Sequence, residues 1–350
     1  MDQVARRVTI ADVAERAGVS KTAVSFAFNN PDRLNVDTAS RILDIANELG
    51  YRPDPVARML TQRRTGSIGI LTPQDLSVIF TNPFFGSFSA GIAAVSEERG
   101  YGLHFISPLH GSLSRAIHRA TVDGVVAIGL TDDHPEIDEI RRAGLPMVLV
   151  DSATTGASAS VDVDDEGGAR LAAAHVLDLG HRDIAVLAID GPRVAGSGGH
   201  GVVDRRLRGY GETLAEAGIE LPPDAIAVGP ASIDGGSEAF DRLWNAGRRP
   251  TAVLAMSDAM AIGAIRAIHQ RGRSIPGEIS VVGFDDVDLA ASTDPPLTTV
   301  HQPVRGKGEA AVRLLLSVME GGQASAVHQR LETRLVIRSS TGPAPQAGRR

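Results

Sequence analysis

Val8-Thr9-Ile10-Ala11-Asp12-Val13-Ala14-Glu15-Arg16-Ala17-Gly18-Val19-Ser20-Lys21-Thr22-Ala23-Val24-Ser25 reads as two short helices joined by a tight turn. Ile10, Val13, Ala14 and Ala17 recur at helical spacing, so one side of the first helix is apolar. Ala14 is small where two helices cross closely, and Gly18 supplies the positive φ that such a turn demands. Ser20 is placed to cap the second helix, with Val24 turned back onto the first. A third helix is expected from about Asp37 to Leu49, with Ala39, Ile42, Leu43, Ile45, Ala46 and Leu49 on its apolar face and Gly50 at its end. Three helices around one small core hold such a hairpin rigid, and the hairpin has the shape that sets its second helix in a DNA major groove.

The 350 residues leave room for two or three domains, and their composition is that of an ordinary soluble protein. Cysteine is absent, which excludes disulfides, thiolate zinc sites and cysteine nucleophiles. The first residues carry no apolar core of a signal peptide, and no run reaches membrane-spanning length, so a cytoplasmic location is expected. Residues 1–65 hold ten Arg/Lys against eight Asp/Glu, or +2, and the remainder holds 25 against 34, or −9. A basic head on an acidic body suits a protein that meets phosphates at one end only. Arginine carries nearly all the positive charge, Lys21 and Lys307 being the only lysines.

Beyond the third helix, Tyr51-Arg52-Pro53-Asp54-Pro55 is a breaker, Val56 to Leu60 can form one more helical turn, and Thr61 to Gly66 is a polar, basic linker. From Ser67 short apolar runs alternate with helical patterns: Ile68–Leu71, Val125–Ile128, Met147–Val150, Ile184–Leu187, Ala252–Ala255 and Ile279–Val282. Continuous apolar strands separated by helices imply parallel sheets covered on both faces, with ligands at the carboxyl ends of the strands. Residues 341–350 are expected to be a disordered tail.

With these pieces in order, the chain resembles the lactose/galactose repressor (LacI/GalR) family over essentially its whole length. The resemblance is carried by Thr9-Ile10-Ala11-Asp12-Val13-Ala14 with Ala17-Gly18-Val19-Ser20; by Leu49-Gly50-Tyr51-Arg52-Pro53; by Asn82-Pro83-Phe84-Phe85; by Leu179-Gly180-His181-Arg182; by Gly283-Phe284-Asp285-Asp286; and by Pro295-Pro296-Leu297-Thr298-Thr299-Val300. It implies an N-terminal all-α helix-turn-helix head on an α/β bilobed core like the periplasmic binding proteins, with two doubly wound parallel sheets. The implied head is 1–53, followed by a hinge helix and linker at 54–65 and a core at 66–340. The N-lobe is then about 66–164 plus 295–325, and the C-lobe about 165–293 plus 327–340. A homodimer on palindromic operator DNA is implied, controlled by a small effector, a sugar or related polyol or nucleoside, between the lobes. Repression is the expected output, and no cofactor or membrane enters.

Lys21 and Thr22, at the start of the recognition helix, are the first candidates for reading bases, with Ser25 and Phe26 one turn on. Phe26 departs from the Arg usual in the family at that position, and it is limited to a methyl contact or to packing. Ser20, Asn29, Arg33, Asn35 and Thr38 are candidates for phosphate contacts, although Asn35 is equally placed to cap the third helix. Leu60 matches the family's minor-groove wedge, with Ala57 and Arg58 against the groove walls. For the effector, Asp151 and Asp285 close apolar strands and Arg206 matches the family's cleft arginine; an Arg fork facing carboxylates suits vicinal hydroxyls. Interdomain salt bridges are the alternative role for these charges. Asn82, Phe84, Phe85 and Ser257 complete the expected lining, Phe84 and Phe85 being equally good core residues, and Gly196–Gly201 is read as a mobile rim. The ten histidines lack metal-ligand spacing, and no nucleophile elbow or phosphate loop is present, so neither enzyme nor metal site is expected. A sugar-binding protein for transport shares the bilobed core but needs export, and nothing in the chain provides it.

Overall fold

The computed structural model describes residues 8–54, 59, 64–152, 156, 158–190, 201–321 and 327–346. Of the expected site residues, Ala57, Arg58 and Leu60 lie outside these, as does most of the Gly196–Gly201 loop. The chain divides into two compact units, Met1–Thr65 and Gly66–Arg350.

In the first unit, α1 (Ile10–Ala17) starts in a capping box, Asp12 Oδ2 accepting from the Thr9 amide at 2.8 Å. It ends at Gly18, whose φ of +66° lets the Val19 amide turn back to the Ala14 carbonyl at 3.0 Å. The helix α2 (Lys21–Asn29) follows, Ser20 Oγ accepting from the Ala23 amide at 3.1 Å. Helix α3 (Val36–Glu48) begins one residue earlier than expected, because Asn35 Oδ1 accepts from the Asp37 amide at 2.9 Å. Val13, Ala14, Ala17, Val24, Ala27, Ile42 and Ala46 form the shared core.

The second unit holds two six-stranded sheets. The first contains β1 (Ser67–Leu71), β2 (Gly102–Ile106), β3 (Gly124–Ile128), β4 (Met147–Val150), β5 (Ala159–Val163) and β11 (His328–Leu331), in the order β11-β5-β4-β3-β1-β2. The second contains β6 (Ile184–Ile189), β7 (Ile226–Gly229), β8 (Ala252–Ala255), β9 (Ser280–Asp285), β10 (Thr298–His301) and β12 (Arg334–Val336), in the order β12-β10-β9-β8-β6-β7. Every pairing is parallel except β10 with β12. Separate apolar clusters cover the two faces of each sheet, as continuous apolar strands require.

Helices α4 (Leu76–Thr81), α5 (Pro83–Glu98), α6 (Leu113–Arg119) and α7 (Pro135–Arg142) belong to the first sheet's half. The second half takes α8 (Asp165–Asp178), α9 (Val202–Glu216), α10 (Ile233–Asn245) and α11 (Asp258–Gln270). The last, α12 (Val304–Met319), returns to the first half, where its Val304, Ala311, Val312 and Leu315 share a core with Phe88 and Ile92 of α5. The helices α5 and α12 cross at Gly91 and Gly308, where a Cβ on either would strike the other helix's backbone.

Two expectations about chain boundaries are corrected. The stretch from Thr298 to His301 belongs to the second sheet, paired to β9, and His328–Leu331 belongs to the first, paired to β5. The chain therefore crosses between the halves after His301 and again between Leu331 and Arg334, later than residues 294 and 326. The hydrogen-bond ladders decide this, and apolar pattern carries no information on which sheet a strand joins. The tail from Thr341 to Ala344 is also bound: His175 Nε2 lies 2.9 Å from Thr341 Oγ1, and the Ala344 amide donates to the Leu179 carbonyl at 2.8 Å. His181, fully buried, anchors it as well, with Nε2 at 3.0 Å from the Gly342 carbonyl.

Candidate functional site

The outward side of α2 offers a ready surface. Lys21 and Thr22 are exposed in its first turn, whereas Val24 and Ala27 are buried on the opposite side. Ser25 and Phe26 are half-buried one turn on, and Asn29 Nδ2 donates to the Ser25 carbonyl at 3.0 Å. The Arg33 guanidinium lies 5.4 Å from the Phe26 ring centroid, so Phe26 packs a cation as well as presenting an apolar edge. Ser20 and Asn35 are N-caps, and Thr38 lies in the first turn of α3.

In the second unit, charged side chains gather at the carboxyl ends of both sheets. Asp151 follows β4 and Asp285 ends β9, and both carry a positive φ, +55° and +130°. Such backbone is costly for an L-residue and recurs where a side chain is aimed for function. Gln302, just after β10, donates from Nε2 to Asp285 Oδ1 at 2.6 Å. Lys307 of α12, fully buried, donates to Asp151 Oδ1 at 2.6 Å and to Gln302 Oε1 at 2.5 Å. Arg206 of α9 donates from Nε to Asp165 Oδ1 at 2.8 Å and from Nη1 to the Met256 carbonyl, and its guanidinium stacks 3.5 Å from the Phe284 centroid. Arg205 clamps the other oxygen of Asp165 at 2.6 Å and stands 3.8 Å from Asp162 Oδ1.

Burial sets the protonation of this cluster. It pushes Asp285 up to about 7, with nearby Asp258 adding to the rise and Arg206 opposing it. It also pushes Asp162 up to about 6, with Asp151 adding and Arg205 opposing. Asp165 is buried too, but Arg206 and Arg205 outweigh the desolvation and hold it below the usual carboxylate range. Asp162 Oδ1 is buried and accepts no hydrogen bond from a described residue.

The expected effector residues are thus partly gathered. Arg206, Asp151 and Asp285 stand in one network, but Arg206 pairs with Asp165 rather than facing Asp285 alone. Asn82 caps α5, its Oδ1 accepting from the Phe84 amide at 3.0 Å, and Ser257 caps α11, its Oγ accepting from the Met260 amide at 3.2 Å. Phe84 and Phe85 are buried in the first sheet's core, the Phe84 ring stacking on Phe88. Asp162, Asp165, Gln302 and Lys307 escaped the sequence reading. The aspartates sit in Val161-Asp162-Val163-Asp164-Asp165, where one more acid in an acidic run is unremarked, but a charged residue between two apolar strand positions was a usable signal. Among the described residues no group of His, Asp or Glu is placed to hold a metal ion, and no helix is long and apolar enough to cross a membrane.

A helix-turn-helix head in series with a two-sheet core bearing a polar strand-end cluster defines a ligand-responsive DNA-binding regulator. Residues 9–54 match the model of bacterial regulatory proteins of the lacI family, and residues 173–341 match the periplasmic binding protein-like domain. The HTH-type transcriptional regulator CelR of Thermobifida fusca is 32% identical over 342 residues, covering 96% of this chain and 98% of CelR. Among solved structures, a Lac repressor dimer bound to operator and the anti-inducer ONPF has a TM-score of 0.80 at 30% identity, over 96% of this chain and all of that one. A CelR–cellobiose complex has a TM-score of 0.69 at 30% identity, over 95% of this chain and all of that one. The chain belongs to the lacI family of bacterial regulatory proteins, DNA-binding transcriptional regulators governed by a small-molecule effector.

Proposed function

We propose that this regulator is a cytoplasmic repressor that binds a palindromic operator as a homodimer and releases or tightens on it when an uncharged polyhydroxylated effector, a sugar or nucleoside, occupies the strand-end cluster. The observation that carries the effector class is the cluster's stock of acceptors. Its cations Lys307, Arg205 and Arg206 already donate to Asp151 and Asp165, while the buried Asp162 Oδ1, 3.8 Å from Arg205, accepts no hydrogen bond from a described residue. A ligand that brings hydroxyl donors satisfies such a site, and one that brings a phosphate must displace a paired carboxylate. The CelR relative, solved with cellobiose, supports the same class.

On the DNA side, Lys21 reaches guanine O6 or N7, Thr22 bonds a base or packs a thymine methyl, and Phe26 offers its apolar edge to a methyl group. Ser25 lies alongside, and Ser20, Asn29, Arg33, Asn35 and Thr38 meet phosphates. Ala57, Arg58 and Leu60 work in the minor groove, where Leu60 wedges a base step only when the operator is kinked. Asn82 and Ser257 shape the effector site through the helices they cap, Phe84 walls it beside Lys307, and Phe85 supports Phe84 from the core; no residue is assigned a catalytic step. The experiment is selection of the full chain on random duplexes, with a thermal-shift panel of sugars, sugar phosphates and nucleosides. A two-fold symmetric consensus and a neutral polyol hit are expected. No enriched sequence, or stabilisation by phosphorylated compounds alone, overturns the reading.

A further inference from the structure

Lys307 is buried completely in the first turns of α12, between Gly306 and Gly308. An ammonium at that depth persists only with partners, and its two come from the strand ends of different sheets. One is Asp151, at the end of β4 in the first sheet, 2.6 Å away. The other is Gln302 Oε1 at 2.5 Å, and the amide of Gln302 in turn donates to Asp285, at the end of β9 in the second sheet, at 2.6 Å. Lysine is a donor only, so it fixes the Gln302 amide with its oxygen toward Nζ and its NH₂ toward Asp285. The Phe84 ring, centred 5.3 Å from Nζ, closes a further side of the ammonium. Asp151, Lys307, Gln302 and Asp285 thus form one directed chain of hydrogen bonds, with a positively twisted aspartate at each end.

We propose that Lys307 and Gln302 are positioning residues of the effector cleft that bind Asp151 and Asp285 into a single unit, so that a change at one carboxylate is felt at the other. The proposal rests on the reading of the strand-end cluster as the effector site and names the residues that transmit occupancy from one half of the core to the other. Asp285 is the useful handle. It faces Arg206 and Tyr210 of α9, Asp258 of α11, and Gln302 with Lys307, and burial brings its titration to about pH 7.

The chain's two lysines make the test direct. The full chain, labelled with ¹³C,¹⁵N-lysine and measured without DNA or sugar, has one exposed ammonium at Lys21 and one buried at Lys307. The Lys307 ammonium is expected to exchange with water at least tenfold more slowly than Lys21, and its shift to inflect near pH 7. That inflection is expected to vanish in Asp285→Asn, which keeps the side chain's size, and to fall by at least half in Gln302→Leu. All variants carry Asp162→Asn, which removes the carboxyl raised to about 6 beside Asp151; in that background a flat titration, an inflection near pH 7 that survives Asp285→Asn, or one undiminished in folded Gln302→Leu overturns the relay. Gln302→Met replaces Gln302→Leu if the latter does not fold. The sugar panel bears only on the effector reading, so the two fail separately.

Discussion

The head and the core use charge in opposite ways. On α2 the chemistry is turned outward: Lys21 and Thr22 are exposed, and the local hydrogen bonds from Ser20, Asn29 and Asn35 run back to the backbone. At the strand ends the charges are buried and spent on one another, Lys307 on Asp151 and Arg205 and Arg206 on Asp165. An exposed cation gains from a polyanion mainly by releasing counterions, which makes binding salt-sensitive and rapid. A buried, paired cluster responds only to a ligand whose groups replace its internal bonds in number and direction. The two surfaces are therefore suited to different partners.

The difference has consequences that separate the two units. The largest is in stability. Ile42 is fully buried in a head with a small core, so Ile42→Ala is expected to cost about 2–5 kcal/mol there. Calorimetry should find the head transition lost or strongly lowered, DNA binding abolished, and the core transition unmoved. A matching fall in the core transition would contradict the independence of the units.

A mid-sized effect is expected in the core's pH response. Asp285 has a folded-state value of about 7 against an ordinary 3.8, so the folded core holds its proton more tightly than the unfolded chain. Its contribution is fully present below pH 3.8 and is lost as the pH rises through 7. Asp258 and Asp162, both raised to about 6, act in the same sense, whereas His181, lowered by burial, favours the folded state only while neutral and costs stability as the pH falls. Between pH 5.5 and 8 the core's Tm should therefore decline by roughly 5 °C, on the usual scale of 2–4 °C per kcal/mol for a domain of this size. Asp285→Asn should flatten much of that slope in scanning calorimetry. An unchanged slope would place the titrating group elsewhere.

The smallest effect belongs to Lys21. Its loss in Lys21→Ala is expected to leave both melting transitions within about 0.5 kcal/mol, as for a surface substitution. If Lys21 meets phosphate, the salt dependence of DNA binding flattens by about one ion equivalent; if it reads guanine, one half-site position relaxes by about 1–3 kcal/mol. Anisotropy titrations on matched and mutated duplexes at several salt concentrations distinguish these.

What could be read from the residues follows the same divide. The head's signals are local: Gly18 and its turn, the cap at Ser20 and the periodic Ile10-Val13-Ala14-Ala17 lie within a dozen residues. Apolar strands such as Met147–Val150 and Ala252–Ala255 were equally legible, because a run buried on both faces advertises itself. The strand His328–Leu331 was not, being an exposed sheet edge with one apolar residue, and Ala159–Val163 was masked by Ser160 and Asp162. Asp151 and Asp285 were legible as strand-end acids, but the lysine that joins them is 156 positions from one of its partners. No spacing rule spans that distance. In Gln302-Pro303-Val304-Arg305-Gly306-Lys307 the lysine looks like any exposed charge until the glycines of α5 and α12 draw the helices together around it.

Occupancy of the core's strand-end cluster is expected to govern the head's hold on its operator. The most direct measurement is the affinity of the full-length protein for its selected operator, with and without the effector found in the panel, for the wild type and Asp285→Asn. Equal operator affinity is expected for both proteins without effector, and at least a tenfold change in the wild type with it. Asp285→Asn should need 10- to 100-fold more effector for the same change, about 1.4–2.7 kcal/mol of lost binding. An Asp285→Asn protein that loses operator binding while keeping full effector affinity would contradict it.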